Sequence, residues 1–218
     1  MKNIIIIAFT FFFINSCNGN LNSTKSEFKN LPPKEIDYTG KEKAYFASGC
    51  FWCVEAIYES LKGVEEVFSG YAGGKTSNPT YSSIGTGKTG HAESVEVIYD
   101  PLEISYETLV DVFFGSHDPT SLNRQGPDFG SQYRSIAFYR NEKEKEIIRR
   151  KIDFLTKNNI FKKSIKTEIL RIDKFYYAEY YHQDYERLNP NNPYVINVSI
   201  PRLNKFKSKF PELLKKNH

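Results

Sequence analysis

Lys43-Ala44-Tyr45-Phe46-Ala47-Ser48-Gly49-Cys50-Phe51-Trp52-Cys53-Val54-Glu55 reads as a strand handing over to a helix. The pattern is extended up to Ser48, and residues 51–61 carry helical spacing, so Cys50 falls at or near a helix N-terminus. Unpaired backbone N–H groups and the helix dipole favour negative charge there. A thiol in that position is expected to ionise readily, and the thiolate is the nucleophile. Cys53 lies within one turn and could close a disulfide with Cys50. Cys-x-x-Cys alone is compatible with a thioredoxin-like redox pair, half of a zinc site or two buried small residues. With three cysteines and no second Cys-x-x-Cys, the four ligands of a structural zinc site are not supplied. A mononuclear site drawing on His91, His117 or His182 is the remaining arithmetic option, and no metal is expected. A thioredoxin-like fold does not suit the flanks, because no regular parallel-strand pattern follows.

Upstream, Met1-Lys2-Asn3 precedes a run over 4–14 that is apolar apart from Thr10. It is shorter than the roughly 20 residues of a membrane-spanning helix and has the form of a secretory signal. Ile14-Asn15-Ser16-Cys17 resembles a bacterial lipobox. The expectation is a lipoprotein-type signal peptide over 1–16, with Cys17 as the lipid-modified N-terminus. The alternative is an ordinary secretion signal with an incidental cysteine. Residues 17–40, rich in Asn, Ser, Lys and Pro, read as a flexible tether. The domain would then hang from a membrane of the bacterial cell envelope, facing the periplasm or the exterior.

Residues 41–218 suffice for one domain with a substantial core, and 17 Phe with 15 Tyr support a packed body. The formal charge of +4 is modest. Much of the excess sits in the Lys-rich 204–218, which reads as a solvated helix face rather than a nucleic-acid surface. A monomer without a nucleic-acid partner is expected. Strands are read over 43–48, 64–71, 91–99, 133–139 and 166–172. Helices are read over 51–61, over 101–116 with Leu102, Tyr106, Leu109, Val110 and Phe113 on one face, and over 141–157. Gly73-Gly74 and Gly85-Thr86-Gly87 mark long loops. The second loop superficially resembles a phosphate loop, but no Gly-x-x-x-x-Gly-Lys-Ser/Thr register leads into a helix. The order β-α-β-β-α-β, with extra helices, gives an α+β single domain with a split β-α-β (ferredoxin-like) core sheet and long loops.

Four further groups of residues carry a resemblance. Gly49-Cys50-Phe51-Trp52, Asn78-Pro79-Thr80-Tyr81, Gly90-His91-Ala92-Glu93 and Gly126-Pro127-Asp128-Phe129-Gly130-Ser131-Gln132-Tyr133-Arg134-Ser135 occur in the order and spacing of the peptide methionine sulfoxide reductase A family, which this chain resembles. Phe175-Tyr176-Tyr177-Ala178-Glu179 through His182-Gln183 is similar to that family's late motif, so the likeness spans 43–190. It implies reduction of the S epimer of methionine sulfoxide, free or in oxidised proteins and peptides.

The chemistry suits the residues so implied. A sulfoxide needs a thiolate on sulfur and an acid delivering a proton to oxygen. The resemblance makes Cys50 the nucleophile and Glu93 the acid, which requires burial or neighbours to raise the Glu93 pKa. It makes Tyr81 and Tyr133 donors to the sulfoxide oxygen, Phe51 and Trp52 an apolar wall for the methyl group, and Asp128 and His182 orienting groups. From sequence position alone, His91 is expected to be structural.

Oxygen transfer would leave Cys50 as a sulfenic acid, which condenses with a nearby thiol. Many family members carry Gly in place of Cys53 and resolve near the C-terminus, whereas here no cysteine follows Cys53. Cys53, or else an external thiol, would resolve. No bound cofactor is implied, only an external dithiol from a thioredoxin-like protein, or dithiothreitol in vitro. Tyr180 departs from a commonly acidic family position and is expected to alter a hydrogen bond around His182. The extension 191–218 shows no recognised chemistry and is expected to pack the domain. The alternative function is an envelope thiol-disulfide oxidoreductase using Cys50 and Cys53, which would need neither Glu93 nor the tyrosines.

Overall fold

The computed structural model describes residues 30–216. The signal expected over 1–16, the expected anchor Cys17 and the first part of the expected tether lie outside the described residues. In chain order the elements are β1 (Glu42–Ser48), α1 (Phe51–Glu59), β2 (Val64–Ala72), α2 (Tyr81–Gly85), β3 (Ala92–Tyr99), α3 (Tyr106–Gly115), β4 (Arg124–Gln125), β5 (Asp128–Phe129), β6 (Ser135–Tyr139), α4 (Glu142–Lys157), β7 (Glu168–Arg171), β8 (Tyr176–Tyr177), α5 (Tyr185–Leu188) and α6 (Ile200–Lys209). The main sheet runs β7-β6-β1-β3-β2-β8. Every neighbouring pair is antiparallel except β6–β7. Its middle, β6-β1-β3-β2 with α1 and α3 as crossovers, is the split β-α-β core that the sequence pattern predicts.

Side chains alternate along each strand, and this alternation decides what the helices cover. Ala44 and Phe46 of β1, Val95 and Val97 of β3, and Val67 and Tyr71 of β2 meet α1 and α3 in one buried cluster. Phe46 stacks on Tyr58 of α1 at 5.1 Å and on Phe113 of α3 at 5.3 Å. Each such side chain contributes about 1.5–3 kcal/mol through burial. Glu93 lies two residues before Val95 and shares its face, so the strand period aims a carboxyl at the helix side of the sheet.

The other face carries Ala47, Phe68, Ile98, Ile136 and Phe138, and Ile36 and Tyr38 pack onto it. The expected tether over 17–40 is therefore corrected for its last part, because residues 30–40 are strapped across the sheet. Asn30 donates to the Phe175 carbonyl at 2.8 Å and accepts the Tyr177 N–H at 3.0 Å. Lys34 pairs with Glu66, and the Lys43 ammonium lies 4.4 Å from the Tyr38 ring centroid. A polar average conceals two apolar residues that reach a cluster distant in sequence.

Other boundaries move for local reasons. Residues 101–105 form a turn rather than helix: the Asp100 carboxylate accepts the Leu102 N–H at 2.9 Å, and Ser105 caps α3 through Thr108 at 3.0 Å. Leu102 is 94 % exposed instead of lying on the buried face. Tyr133 ends a 3₁₀ turn over Ser131–Tyr133, and the strand begins at Ser135. The elements α2, β4, β5, β8 and α5 are too short to show a period. Of the Lys-rich tail, one face is solvated while Phe206 is buried and Leu214 bridges to Leu61. Among the described residues no helix is long and apolar enough to cross a membrane.

A fragment starting at residue 41 should be less stable than one starting at residue 30 by about 2 kcal/mol, the burial of Ile36 and Tyr38. Urea unfolding of the two fragments measures this, and equal midpoints would show that the strap adds nothing.

Candidate active site

Gly49 (φ +94°) turns the chain from β1 into α1, and a Cβ there would stand 2.6 Å from Gln125. Glycine is required by both conformation and space. Cys50 follows as the residue capping α1, yet its side chain accepts no cap hydrogen bond. The helix-terminal Phe51 N–H instead donates to the Glu93 carboxylate at 3.0 Å. The expectation that the helix terminus lowers the Cys50 pKa is thus corrected. Burial first, then the Cys53 sulfur and the facing Glu93, push the Cys50 thiol well up. Glu93 is 2 % exposed. Burial outweighs its bond from Phe51 and raises its pKa to about 8, so the carboxyl is largely protonated at neutral pH. That is the state a general acid needs.

Cys50 and Cys53 are both buried free thiols. The Cys50 thiol, first, and the Arg202 guanidinium hold the Cys53 pKa down at about 6 against burial, while the neighbouring Tyr194 and Ser199 hydroxyls donate to Asp128 and Glu186. The negative charge of the pair therefore rests on Cys53 while Cys50 keeps the proton. Tyr194, Ser199 and Arg202 all come from the extension in which the sequence shows no chemistry. Its expected role is corrected accordingly: it packs the domain and also walls the thiol pair.

The aromatic residues gather as expected. Phe51 is fully buried, with ring centroids 6.3 Å from Trp52, 6.3 Å from Tyr81 and 4.9 Å from His182. Trp52 is half-buried and stacks on Tyr185 at 3.6 Å, with Tyr194 edge-on at 5.9 Å. Its indole N–H donates to His182 Nδ1 at 3.2 Å. His182 is neutral, its pKa lowered to about 4 by burial, and its Nε2 is buried without a partner. The Tyr180 side chain is 79 % exposed and gives no hydrogen bond to His182.

Each loop-borne side chain is pinned by its own contacts. The Gly74 N–H donates to His91 Nδ1 at 3.2 Å, and His91 Nε2 donates to the Thr76 carbonyl at 2.8 Å, so His91 shapes the loop leading to Tyr81. Glu179 accepts the Tyr81 N–H at 3.0 Å and the Tyr71 hydroxyl at 2.6 Å. Arg134 donates to the Gly90 and Ser131 carbonyls and to Glu168, fixing the turn that ends at Tyr133. Burial, with the charge of Glu93, raises the pKa of Tyr81 to about 12 and that of Tyr133 further, so both hydroxyls remain donors. Asp128, on the β4–β5 hairpin, accepts from Tyr194 at 2.6 Å. The structure thus brings together Cys50, Phe51, Trp52, Cys53, Tyr81, Glu93, Asp128, Tyr133 and His182, and adds Glu179, Tyr185, Tyr194, Ser199 and Arg202. Glu179 stood inside a recognised motif without a role, and nothing in the sequence marked Tyr194 among the other tyrosines.

Among the described residues, the carboxylates able to hold a metal are Glu59, Glu66 and Asp184, away from the thiols. Glu66 pairs with Lys34 and Asp184 with Arg187, which leaves little charge for a cation.

Residues 42–214 match the family model described as peptide methionine sulfoxide reductase. A relative from Pasteurella multocida, named peptide methionine sulfoxide reductase MsrA, is 48% identical over 174 residues, covering 80% of this chain and 99% of its own. Peptide methionine sulfoxide reductase MsrA 2 of Synechocystis is 43% identical over 186 residues, covering 85% of this chain and 87% of its own. Among solved structures, reduced Mxr1 of Saccharomyces cerevisiae superposes with a TM-score of 0.66 at 36% identity, covering 72% of this chain and 91% of that one. Methionine sulfoxide reductase A of Corynebacterium diphtheriae gives 0.63 at 36% identity, covering 70% and 77%. With a thiol, a protonated carboxyl and two phenols converging where the matching motifs place them, this chain belongs to the peptide methionine sulfoxide reductase family.

Proposed function

We infer that this protein reduces the S epimer of methionine sulfoxide, free or in oxidised proteins, at the expense of an external dithiol, and so repairs oxidative damage. The observation that carries this reading is Glu93: a buried carboxyl, protonated near neutrality, bonded to the N-terminus of the helix that carries Cys50. Cys50 attacks the sulfoxide sulfur as Glu93 delivers its proton to the oxygen, and the proton that the Cys50 thiol gives up restores Glu93. Tyr81 and Tyr133 donate to that oxygen as it gains charge, and Trp52 with Phe51 walls the methyl group. The oxygen then passes from the methionine sulfur to the Cys50 sulfur: the Cys50–methionine S–S bond and the methionine S–O bond break, methionine leaves, and Cys50 is a sulfenic acid. Attack by Cys53 on the Cys50 sulfur expels that oxygen as water and leaves a disulfide. A thioredoxin-like dithiol then returns both sulfurs to the reduced state, supplying two electrons.

Activation of Cys50 depends on the state of Glu93. An ionised Glu93 opposes a thiolate on Cys50, whereas a protonated one removes that opposition and supplies the proton. Attack and proton delivery therefore require the same protonation state of one carboxyl.

We further propose that residues 1–16 direct export and that Cys17 carries a lipid, placing the enzyme on a membrane of the bacterial envelope. The apolar run over 4–14 and the lipobox-like Ile14-Asn15-Ser16-Cys17 support this.

With dithiothreitol, fragment 30–218 should turn over the S epimer and not the R epimer, and Cys50→Ser should abolish turnover. Cys53→Ser should release one methionine per chain and then stall with a thioredoxin-like reductant. Disulfide exchange without turnover of either epimer would move the assignment to the thiol-disulfide oxidoreductase. In single turnover, the rate of methionine formation should fall as pH rises past about 8, because the acid is spent above its pKa. Glu93→Gln should remove that limb and slow the step by about a hundredfold. Palmitate labelling in a bacterial host should mark the full chain and not Cys17→Ser; label on neither would leave an ordinary secretion signal.

A further inference from the structure

Cys53 owes its surroundings to a segment more than a hundred residues away in the chain. After Tyr194, a π-helical turn over Val195–Ser199 runs directly into α6. Ser199, fully buried, and Arg202, three residues on, consequently face the same side. The Ser199 hydroxyl donates its proton to the Glu186 carboxylate, so it brings none to Cys53. Arg202 Nε donates to the Ser116 carbonyl at the end of α3, at 3.0 Å. Its Nη2 donates to the Ser48 carbonyl at 3.0 Å and to the Ser48 hydroxyl at 3.3 Å, two residues before Cys50. These bonds hold the guanidinium where it lines, together with Cys53, a groove of about 780 Å³.

Among the described residues no carboxylate forms an ion pair with Arg202. It is a cation fixed by neutral acceptors, and a guanidinium so placed stabilises a nearby anion at little ordering cost, because its bonds already hold it. Asp128 also feels its charge, but that carboxylate already accepts from Tyr194. From the N-terminal half, Cys50 and Glu93 face Cys53, and both oppose a charge on it or share its proton. Across the groove stand Lys205 and His117, the latter kept neutral by burial, with Asp118 at the rim. Among the described residues, Arg202 is the one cation bonded both to Ser48, just before the thiol pair, and to Ser116 at the end of α3.

We propose that Arg202 is a positioning residue that holds Cys53 as the thiolate which closes the disulfide. This inference rests on the reading that Cys53 resolves the sulfenic acid. In that step the Cys53 lone pair forms the S–S bond with Cys50 and the Cys50 S–O bond breaks. The oxygen leaves as hydroxide and takes a proton to become water, so no further oxidant or reductant is needed. A thiol at Cys53 would first have to lose its proton inside a buried site.

The test oxidises the full chain with one equivalent of methionine sulfoxide and no added thiol. Trapping of the remaining sulfenic acid with dimedone, together with a count of free thiols, follows closure from pH 5 to pH 9. In the original chain closure should rise with pH to a plateau, its midpoint reporting ionisation of Cys53 beside the oxidised Cys50. Arg202→Met should move that midpoint upward and close about tenfold more slowly at pH 6, and Arg202→Lys should restore most of the rate. Arg202→Gln, which can still donate to the Ser48 carbonyl but carries no charge, should move the midpoint in the same direction. One methionine released per chain reports an intact Cys50 site in each variant. An unshifted profile in Arg202→Met overturns the proposal; if that variant releases no methionine, an unshifted profile in Arg202→Gln overturns it. Loss of the sulfenic acid from Cys53→Ser as fast as from the original chain would instead overturn the resolving role itself.

Discussion

One backbone N–H, that of Phe51 at the start of α1, gives its hydrogen bond to Glu93, and the chemistry of the site follows from that. A helix N-terminus favours an anion, and here three ionisable groups surround a single such place. Desolvation keeps the buried groups from carrying several charges at once. Burial and the proximity of Asp128 lift Glu93, burial, Cys53 and Glu93 lift Cys50, and the Cys50 thiol, with the Arg202 charge, draws the remaining charge to Cys53. The result is one protonated carboxyl, one protonated thiol and one thiolate within a few side chains. This is a set of groups ready to deliver a proton, receive an oxygen and close a disulfide in turn.

The scaffold holds these groups through buried polar contacts rather than apolar packing alone. Glu55 of α1 accepts the Ser69 hydroxyl at 2.9 Å and the Asp184 N–H at 2.9 Å. Gln183 bonds both backbone groups of Ser69, each at 3.0 Å. Helix α1, strand β2 and the segment carrying His182 are thereby joined. Arg134 does the same for the turn ending at Tyr133, and Glu179 for the start of α2. Leaving any of these groups unpaired inside the protein would cost more than the bond itself contributes. Loops that carry function are therefore held nearly as firmly as the strands beside them.

Legibility differed from residue to residue. Cys50, Glu93, Tyr81 and Tyr133 could be placed because each stands in a motif of fixed spacing. The core strands and helices could be placed because periods of 2 and 3.6 persist over whole elements. Short elements carry no period, so the β4–β5 hairpin that presents Asp128 was invisible. Leu102 illustrates the converse: an apolar residue at helical spacing that sits in a turn because Asp100 and Ser105 bond the backbone first. The ionisation of the two thiols was misjudged for another reason. Position on a helix is local, whereas burial and the nearness of Glu93 are not.

By itself the sequence determined the α+β class, the β-α-β-β-α-β order, the thiol at the head of the first helix and the family of reaction. The first three are written in local spacing, which survives without a fold, and the reaction in motifs that the chain shares with its family. The tertiary structure decided which group carries the charge, because pKa values depend on desolvation and on neighbours brought from elsewhere in the chain. It also decided that residues 30–40 clasp the sheet and that Tyr194, Ser199 and Arg202 of the C-terminal segment stand against the cysteine pair. Contacts between residues distant in the chain leave no periodic trace, so they emerge only when the sheet and its helices have closed around them.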